Sequence, residues 1–300
     1  MAPTISVVIV SKDEPGLDAT LSSIPPRDDI EVVVVDASAG RLDWIAEKHS
    51  GVNWIRFEQP PGKRFSIPDQ RNIGIKNSSG EVIEFIDSGC RAAPGWCDVL
   101  AEPILTGGEL VTAGKTTREN TIHAGPNFEG EVYVAYAPTI NLAIARSVFE
   151  VVGPFDESFV YGSDLDLSWR LGAAGIRIRH EPAALVEPDW GSTKRQLKRS
   201  YRYGKAKPVL YRKHHPGLKG MYKEDPIPFI YATAMVAILV VRDRRWTAAT
   251  CAAAVLRNRH SPRPWLALGD HVIFTFGFVV ESLRPSVIRA AVLPNASPAE

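Results

Sequence analysis

The fold is decided by the stretch Val82-Ile83-Glu84-Phe85-Ile86-Asp87-Ser88-Gly89, an apolar run of strand length that ends in an aspartate. Two β-branched runs precede it in the chain, Ile5 to Val10 and Glu31 to Val35. Runs with so few polar positions are typical of parallel strands that are buried on both faces. We therefore expect these three segments to form neighbouring strands of one sheet.

Helical patterns alternate with these strands. Leu17, Leu21 and Ile24 recur at helical spacing, a second helix begins at Leu42 and ends near Gly51, and Val52 to Phe57 supplies another strand. Ser66-Ile67-Pro68 resembles a helix cap with proline in the first turn, and that helix ends at Gly80. Strands that alternate with helices predict an α/β fold with a mostly parallel sheet, covered by helices on both faces.

Polar residues follow three of the predicted strands: Ser11 after the first, Asp36 after the second and Asp87 after the fourth. In open α/β sheets, ligands bind in the crevice outside the carboxyl ends of the strands. A carboxylate there accepts hydrogen bonds from a nucleoside or helps to hold a divalent cation. The alternative is that each aspartate is an ordinary turn or cap residue.

The composition is that of a globular protein of 300 residues, with 45% apolar content and a net charge of +1. Three cysteines, Cys90, Cys97 and Cys251, lack the spacing of a zinc site or a disulfide framework, which favours free thiols in a reducing compartment. The segment that begins at Met1 has no basic region, and its apolar run is too short for a signal peptide. We expect a cytoplasmic location.

A basic stretch from Lys194 to Lys223 holds eleven Lys or Arg and no Asp or Glu. Such asymmetry favours an anionic partner, either a lipid surface that bears phosphate or a phosphorylated substrate. A nucleic acid is disfavoured, because no zinc finger, RNA-binding aromatic pattern or zipper accompanies the charge. A solvated basic helix is the alternative.

Several motifs occur together in one order along the chain: Ile5 to Glu14, the Val-Val-Val-Asp that ends at Asp36, Gln70-Arg71-Asn72-Ile73-Gly74, Phe85-Ile86-Asp87, Gly153-Pro154-Phe155-Asp156-Glu157 and Ser163-Asp164-Leu165-Asp166-Leu167-Ser168-Trp169-Arg170-Leu171. In this set the chain resembles the family 2 glycosyltransferases of the GT-A fold, from about Ile5 to about Gly204. The resemblance implies a Rossmann-like sheet and inverting transfer of a sugar from a nucleotide diphosphate donor to a hydroxyl acceptor, which is a glycan, a glycolipid or a metabolite.

The resemblance also implies roles for the donor side of the crevice. Ser11, Glu14 and Asp36 would contact the nucleoside, and Arg71 would lie near the phosphates or ribose of the donor. Asp87 matches the first aspartate of the Asp-x-Asp motif, and would anchor the donor and ligate a divalent cation, Mg or Mn.

Two positions depart from the family pattern. Gly89 stands where the second aspartate of the motif falls, and Pro188 stands where relatives often place a histidine. Either the cation is held by fewer protein groups, or cationic side chains replace much of it. The candidates for that replacement are Arg71, Arg91 and the basic stretch, because the leaving nucleoside diphosphate needs its charge balanced.

The acceptor side follows from the last motif. Asp164 matches the proposed catalytic base, and Ser163 replaces the usual glutamate beside it. Asp166, Trp169 and Arg170 would contact the acceptor. The spacing Ser163-x-x-Asp166 also matches a helix capping box, so capping is an alternative role for Asp166. Asn141 to Ile144 and Arg146 match a segment that often closes the donor site.

We expect three regions: a donor-binding half over residues 1–110, an acceptor-binding and catalytic half of the same domain over 111–210, and a helical extension over 211–300. Ile227 to Val241 is fifteen residues long, too short for a hydrocarbon core of about 30 Å. These helices suit either a membrane interface, with the protein peripheral on the cytoplasmic face, or a homodimer interface. A noncatalytic module that binds nucleotide sugars is the alternative function.

Overall fold

The computed structural model describes residues 4–59, 61–62, 66–117, 121–122, 128, 130–214, 219, 222–223, 226–241, 245, 248, 252, 256 and 263–284. The chain forms two compact units. The sheet unit comprises Met1–Glu119 and Asn127–Asp189, and the helical unit comprises Asn120–Pro126 and Trp190–Glu300. Both predicted halves of the catalytic domain therefore fall largely in the sheet unit, and the second unit begins before the predicted boundary at residue 211.

The first half of the sheet is parallel, as the β-branched runs predicted. Its strands are β1 (Ile5–Ser11), β2 (Ile30–Asp36), β3 (Asn53–Arg56) and β4 (Val82–Ile86). They lie in the order β3-β2-β1-β4 with every neighbouring pair parallel. Because this order reverses at β1, a crevice opens at the carboxyl ends of β1 and β4.

Three helices connect these strands, namely α1 (Leu17–Ser23), α2 (Asp43–Lys48) and α3 (Ile67–Lys76). The predicted cap of α3 is confirmed, since the Ser66 hydroxyl accepts a hydrogen bond from the Asp69 backbone N–H at 3.3 Å and a proline occupies the first turn. The capped start directs α3 along β1 and β2, which places its polar residues Gln70-Arg71-Asn72 beside the crevice.

The second half of the sheet is mixed. Its elements are β5 (Cys90–Ala92), α4 (Trp96–Leu105), β6 (Val111–Thr116), β7 (Tyr133–Val134), β8 (Asn141–Ala145), α5 (Val148–Val152), α6 (Ser163–Ala173) and β9 (Ile178–Pro188). Strand β8 pairs antiparallel with both β4 and β6, while β6 and β9 are parallel. The full order is β3-β2-β1-β4-β8-β6-β9-β5, and β7 pairs with β9. The α/β class and flanking helices are confirmed, with the parallel pairing concentrated in the first half.

The cysteines of the sheet unit, Cys90 and Cys97, are buried thiols that form no disulfide with each other, as predicted. Cys251 lies outside the described residues.

The described part of the helical unit contains three long helices: α7 (Thr193–His214), α8 (Ile227–Val241) and α9 (Pro264–Ser282). Helices α7 and α9 touch backbone to backbone at Gly204 and Gly277. A Cβ at Gly204 would lie 2.0 Å from the Phe274 carbonyl oxygen, and one at Gly277 would lie 2.2 Å from that of Tyr201. Any larger residue at either glycine would force the two helices apart. Among the described residues, no helix combines the length and the apolarity that crossing a bilayer requires.

Candidate functional site

The predicted crevice residues meet at one edge of the sheet. Ser11 ends β1 directly opposite Asp36 at the end of β2, and Asp87 follows β4 on the other side of β1. The Ser11 hydroxyl is buried and has no hydrogen-bond partner within the described residues. A buried hydroxyl without a partner is costly, so its place at this edge is consistent with a polar ligand.

Asp36 is a buried carboxylate. Its Oδ1 accepts hydrogen bonds from the Ser38 hydroxyl at 2.5 Å and from the Ser38 backbone N–H at 3.2 Å. Burial raises the pKa of Asp36 above its ordinary value, and the two bonds from Ser38 oppose that rise. Two hydrogen bonds from Ser38 thus stabilise a buried carboxylate at the position predicted to contact the nucleoside.

Gly89 has a backbone conformation that explains its identity. Its φ is +89°, in the left-handed region, and its N–H donates to the Thr20 hydroxyl at 2.9 Å. A Cβ at this position would lie 3.5 Å from the Glu14 carboxyl carbon. An aspartate here would be strained by the left-handed backbone, and its Cβ would lie in contact with Glu14. Glu14 therefore occupies the space beside the position where the family's second aspartate falls.

Pro188, the other departure from the family pattern, lies next to Gly89 in space. It pairs with Cys90 across β5 and β9, and the following Asp189 N–H donates to the Gly89 carbonyl at 3.2 Å. The two changed positions therefore belong to one place in the fold.

Arg71 lies between Asp87 and the first turn of α6. Its side chain is nearly buried, with one guanidinium nitrogen 3.5 Å from Asp87 Oδ1 and another 3.4 Å from the Ser163 hydroxyl. The guanidinium also lies over the Phe155 ring, 5.5 Å from its centroid. The positively charged guanidinium group of Arg71 is thus held between Asp87 and the start of α6.

Asp164 lies in the first turn of α6, where its Oδ1 accepts a hydrogen bond from the Leu165 N–H at 2.9 Å. Burial raises the pKa of Asp164 above its ordinary value, the positive charge of Arg71 lowers it, and the negative charge of Asp87 raises it. A carboxylate with a raised pKa is a stronger proton acceptor once it is ionised. The position suits a base that takes a proton from a bound hydroxyl group.

The capping role suggested for Ser163 and Asp166 is wrong. Helix α6 has Gly162 in a left-handed conformation at its N-cap, without a side-chain cap, so Ser163 is already helical and its hydroxyl faces Arg71.

The Asp166 carboxylate is fully buried and pairs with Arg170 at 2.9 Å. Arg170 also donates to the carbonyl groups of Val152 and Gly153. These contacts fix the turn after α5. Acceptor contacts of Asp166, of Arg170 and of the half-buried Trp169 stay predictions.

The segment expected to close the donor site is split between two edges of the sheet. Because β8 runs antiparallel to β4, Asn141 lies opposite Ile86 at the crevice end, and Ala145 lies opposite Val82 at the far end. Arg146 therefore contacts the Gly80 carbonyl at 2.7 Å, away from Asp87. The expectation that Arg146 closes the donor site is wrong.

Two residues that the motifs left without a role complete the site. Ser38 joins Asp36 to the loop after β1, since its hydroxyl accepts the Asp13 backbone N–H at 2.7 Å. Asn72 bonds both the N–H and the carbonyl of Phe155, which ties α3 to the loop that leads into α6. Asn72 falls inside one of the motifs quoted above, whereas Ser38 lies outside them.

The described residues contain no group of three or more His, Cys, Asp or Glu side chains arranged to hold a metal ion. The Asp87 side chain is 45% exposed to the crevice, and Glu14 lies beside Gly89. This oxygen donor set fits a hard cation that takes one or two carboxylates and completes its shell with phosphate oxygens and water. It does not fit a cage formed by the protein alone.

Comparison with known proteins agrees with this geometry. Residues 6–126 match the family model "Glycosyl transferase family 2". A pre-mycofactocin glycosyltransferase of Mycobacterium tuberculosis is 31% identical over 236 residues, which cover 71% of this chain and 48% of the relative. The chain thus spans about half the length of this curated relative.

Solved structures share the fold. The mannosyltransferase PcManGT from Pyrobaculum calidifontis, in complex with GDP-Man and Mn2+, superposes with a TM-score of 0.65 at 18% identity, covering 94% of this chain and 88% of that protein. GalNAc-T7 with UDP, GalNAc and Mn2+ gives a TM-score of 0.50 at 17% identity, covering 69% of this chain and 51% of that protein.

Proposed function

Residues 6–126 belong to glycosyl transferase family 2, and from this premise we propose that the chain is an inverting glycosyltransferase. It moves a sugar from a nucleoside diphosphate donor to a hydroxyl group of a glycan, a glycolipid or a small molecule. The observation that carries the proposal is the placement of Arg71 between Asp87 and the first turn of α6, where Asp164 lies. We propose that in this arrangement Asp87 anchors the donor, Arg71 faces the phosphates and Asp164 is the base, all in one crevice.

The reaction is a single in-line displacement. Asp164 accepts the proton of the acceptor hydroxyl as its oxygen bonds to the anomeric carbon, and the bond from that carbon to the diphosphate oxygen breaks. The bonding electrons leave with the nucleoside diphosphate. Arg71 stabilises the negative charge that develops on it, and its nearly buried position strengthens that electrostatic effect. Because attack and departure occur on opposite faces of the sugar, the anomeric configuration inverts.

A divalent cation, Mg or Mn, would be held by Asp87 together with the donor diphosphate, with Glu14 beside it. When bound, it would add positive charge at the leaving diphosphate. Because Gly89 has no side chain, this set lacks the second carboxylate of the motif, and we propose that most ligands of the cation come from the nucleotide and water. Both structural relatives described above were solved with Mn2+.

Cation and nucleotide binding are therefore expected to be strongly coupled. Mn2+ should bind weakly to the protein alone and more tightly with GDP or UDP present, and Mn2+ should strengthen nucleotide binding by the same factor. Calorimetric titration of Mn2+ with and without each nucleotide measures this factor, and Asp87→Asn should reduce it. Tight Mn2+ binding without nucleotide, or nucleotide binding that is indifferent to a chelator, would contradict this arrangement.

We propose that the helical unit contacts an anionic membrane surface. Lys194, Lys198 and Arg202 are exposed at intervals of four along α7 and so share one face of the helix. Along α8, Ile230, Val236 and Val240 expose between 48% and 74% of their surface. Exposed apolar side chains in a unit that also carries a basic face are typical of interfacial helices. The two buried thiols of the sheet unit are not joined in a disulfide, which supports a location in the reducing cytoplasm, with the protein peripheral on its membrane.

Reversing the basic face should abolish this contact. We expect the full chain to float with anionic liposomes, and the Lys198→Glu, Arg202→Glu variant to remain at the bottom of the gradient. Reversal of two exposed lysines of the sheet unit, Lys48 and Lys76, is the matched control and should leave flotation unchanged. Equal flotation of both double variants would refute the membrane proposal. A dimer in solution without flotation would instead favour the homodimer interface.

A noncatalytic module that binds nucleotide sugars is the second candidate, because Gly89, Ser163 and Pro188 replace family residues. Incubation of the purified full chain with GDP- and UDP-sugars and a pool of acceptors separates the two. We expect a product whose anomeric configuration, read by proton NMR, is opposite to that of the donor. Retention of configuration would exclude the single displacement.

A further inference from the structure

We infer that Ser38 is a positioning residue of the donor site, because one hydroxyl joins the Asp36 carboxylate to the loop that carries Glu14. This inference rests on the proposed function. It adds a residue that lies outside the motifs quoted above, and it explains how the two ends of the donor crevice keep fixed positions relative to each other.

The hydroxyl group of Ser38 makes two hydrogen bonds, one as donor and one as acceptor. It donates its one proton to Asp36 Oδ1 at 2.5 Å and accepts the backbone N–H of Asp13 at 2.7 Å. Ser38 is 0% exposed and Asp36 is 1% exposed, so water does not compete for these bonds. Hydrogen bonds to a buried charged group are stronger than those between neutral groups at a surface.

Ser38 orients the carboxylate of Asp36. Its hydroxyl and its backbone N–H both reach Oδ1, which leaves the second oxygen, Oδ2, outside this pair of bonds. A carboxylate fixed through one oxygen presents the other in a defined direction. That is the geometry needed to accept a hydrogen bond from a ribose or base of the donor.

Ser38 also fixes the loop between β1 and α1. Asp13 has a φ of +55°, in the left-handed region that residues with a side chain seldom adopt. Its N–H is held by Ser38, and its carboxylate pairs with Arg41 at 2.6 Å. The next residue, Glu14, carries the carboxyl group that packs against Gly89. Ser38 thus connects the nucleoside end of the crevice to its diphosphate end through two successive residues.

The charged surroundings of Asp36 set the sign of the pH effect. Burial raises the pKa of Asp36, Asp13 and Asp43 raise it further, and the bonds from Ser38 lower it. The positive charge of Arg41 attracts the Asp36 carboxylate. Arg56 of β3 lies opposite Asp36 and pairs with Asp43. Removal of the hydroxyl therefore raises the pKa of Asp36, and the ionised form is lost at a higher pH than in the native chain.

The test is Ser38→Ala in the full chain, with GDP and UDP as probes. We expect the affinity for the nucleotide that binds the native chain to fall by about tenfold or more. The pH below which binding weakens should move upward. In steady-state assays, the KM for the donor should rise more than kcat falls. Ser38→Thr keeps the hydroxyl and should restore the affinity and the pH midpoint.

The matched control is Ser22→Ala, because the Ser22 hydroxyl donates only to the Asp18 backbone carbonyl at an exposed position. Hydrogen exchange gives a second measurement without nucleotide: peptides that cover Asp13 and Glu14 should lose protection in Ser38→Ala and keep it in Ser22→Ala. This measurement remains decisive if the threonine methyl group disturbs the buried site.

The experiment distinguishes a failure of the proposed function from a failure of the inference about Ser38. If the native chain binds neither nucleotide, the proposed function fails and the inference fails with it. If the native chain binds and Ser38→Ala matches it in affinity, pH midpoint and exchange, the inference alone is wrong.

Discussion

Asp164→Asn is expected to lower the rate of sugar transfer by about 10²- to 10⁴-fold, the usual contribution of a positioned general base. Asparagine has the same shape and can still accept the Leu165 N–H through its oxygen, so the start of α6 should be preserved. It cannot take the proton of the acceptor hydroxyl. Nucleotide affinity, measured by calorimetry, should stay close to that of the native chain.

The pH dependence provides a separate check on this residue. Asp164 acts as a base only when ionised, and its pKa is raised by burial. The rate in the native chain should therefore fall, as pH decreases, at a higher pH than an ordinary aspartate would give. Asp98→Asn removes a carboxylate that pairs with Arg27 at the surface, and should leave the rate unchanged. If the Asp164→Asn variant transferred sugar at the native rate, Asp164 would be excluded as the catalytic base.

Arg71→Met is expected to lower transfer by about 10²- to 10³-fold, comparable to the loss of one donor that stabilises charge in a transition state. Methionine keeps an apolar stem over Phe155 and removes the charge that faces both Asp87 and Ser163. Nucleotide affinity should fall as well, because the diphosphate loses its nearby cation.

Arg71 also lowers the pKa of Asp164. Its loss should therefore shift the acid limb of the rate to a higher pH, which a purely structural role would not do. Arg71→Lys keeps a positive charge and should give an intermediate rate with a smaller shift. An unshifted acid limb in Arg71→Met would show that the two residues are not coupled.

The parallel half of the sheet was predictable because buried parallel strands leave a strong signal. The runs that became β1, β2 and β4 are β-branched, short and followed by polar residues, and each was placed within one or two residues. The direction of β8 was not predictable. Asn141–Ala145 is buried throughout, and such a run has the same pattern whether it lies parallel or antiparallel to its neighbours.

The site was predictable where chemistry and position coincide. The position of Asp36 and Asp87 at the crevice edge could be predicted because a carboxylate at the end of a buried strand is conspicuous, and their contacts with a donor stay predictions. The capping assignment failed because the Ser163 and Asp166 spacing satisfies the pattern, while the left-handed Gly162 starts the helix one residue earlier than that pattern requires. Ser38 was missed because its role depends on a contact with Asp13, twenty-five residues away in the chain.

The most direct test of the central claim is release of nucleoside diphosphate from GDP- and UDP-sugars by the purified full chain, with Mn2+ and an acceptor pool, measured beside Asp164→Asn. We predict that the native chain releases nucleoside diphosphate from at least one donor. The variant should bind that donor equally well and release almost none. If the native chain binds nucleotide and turns over no donor, the crevice is a binding module and not a transferase site.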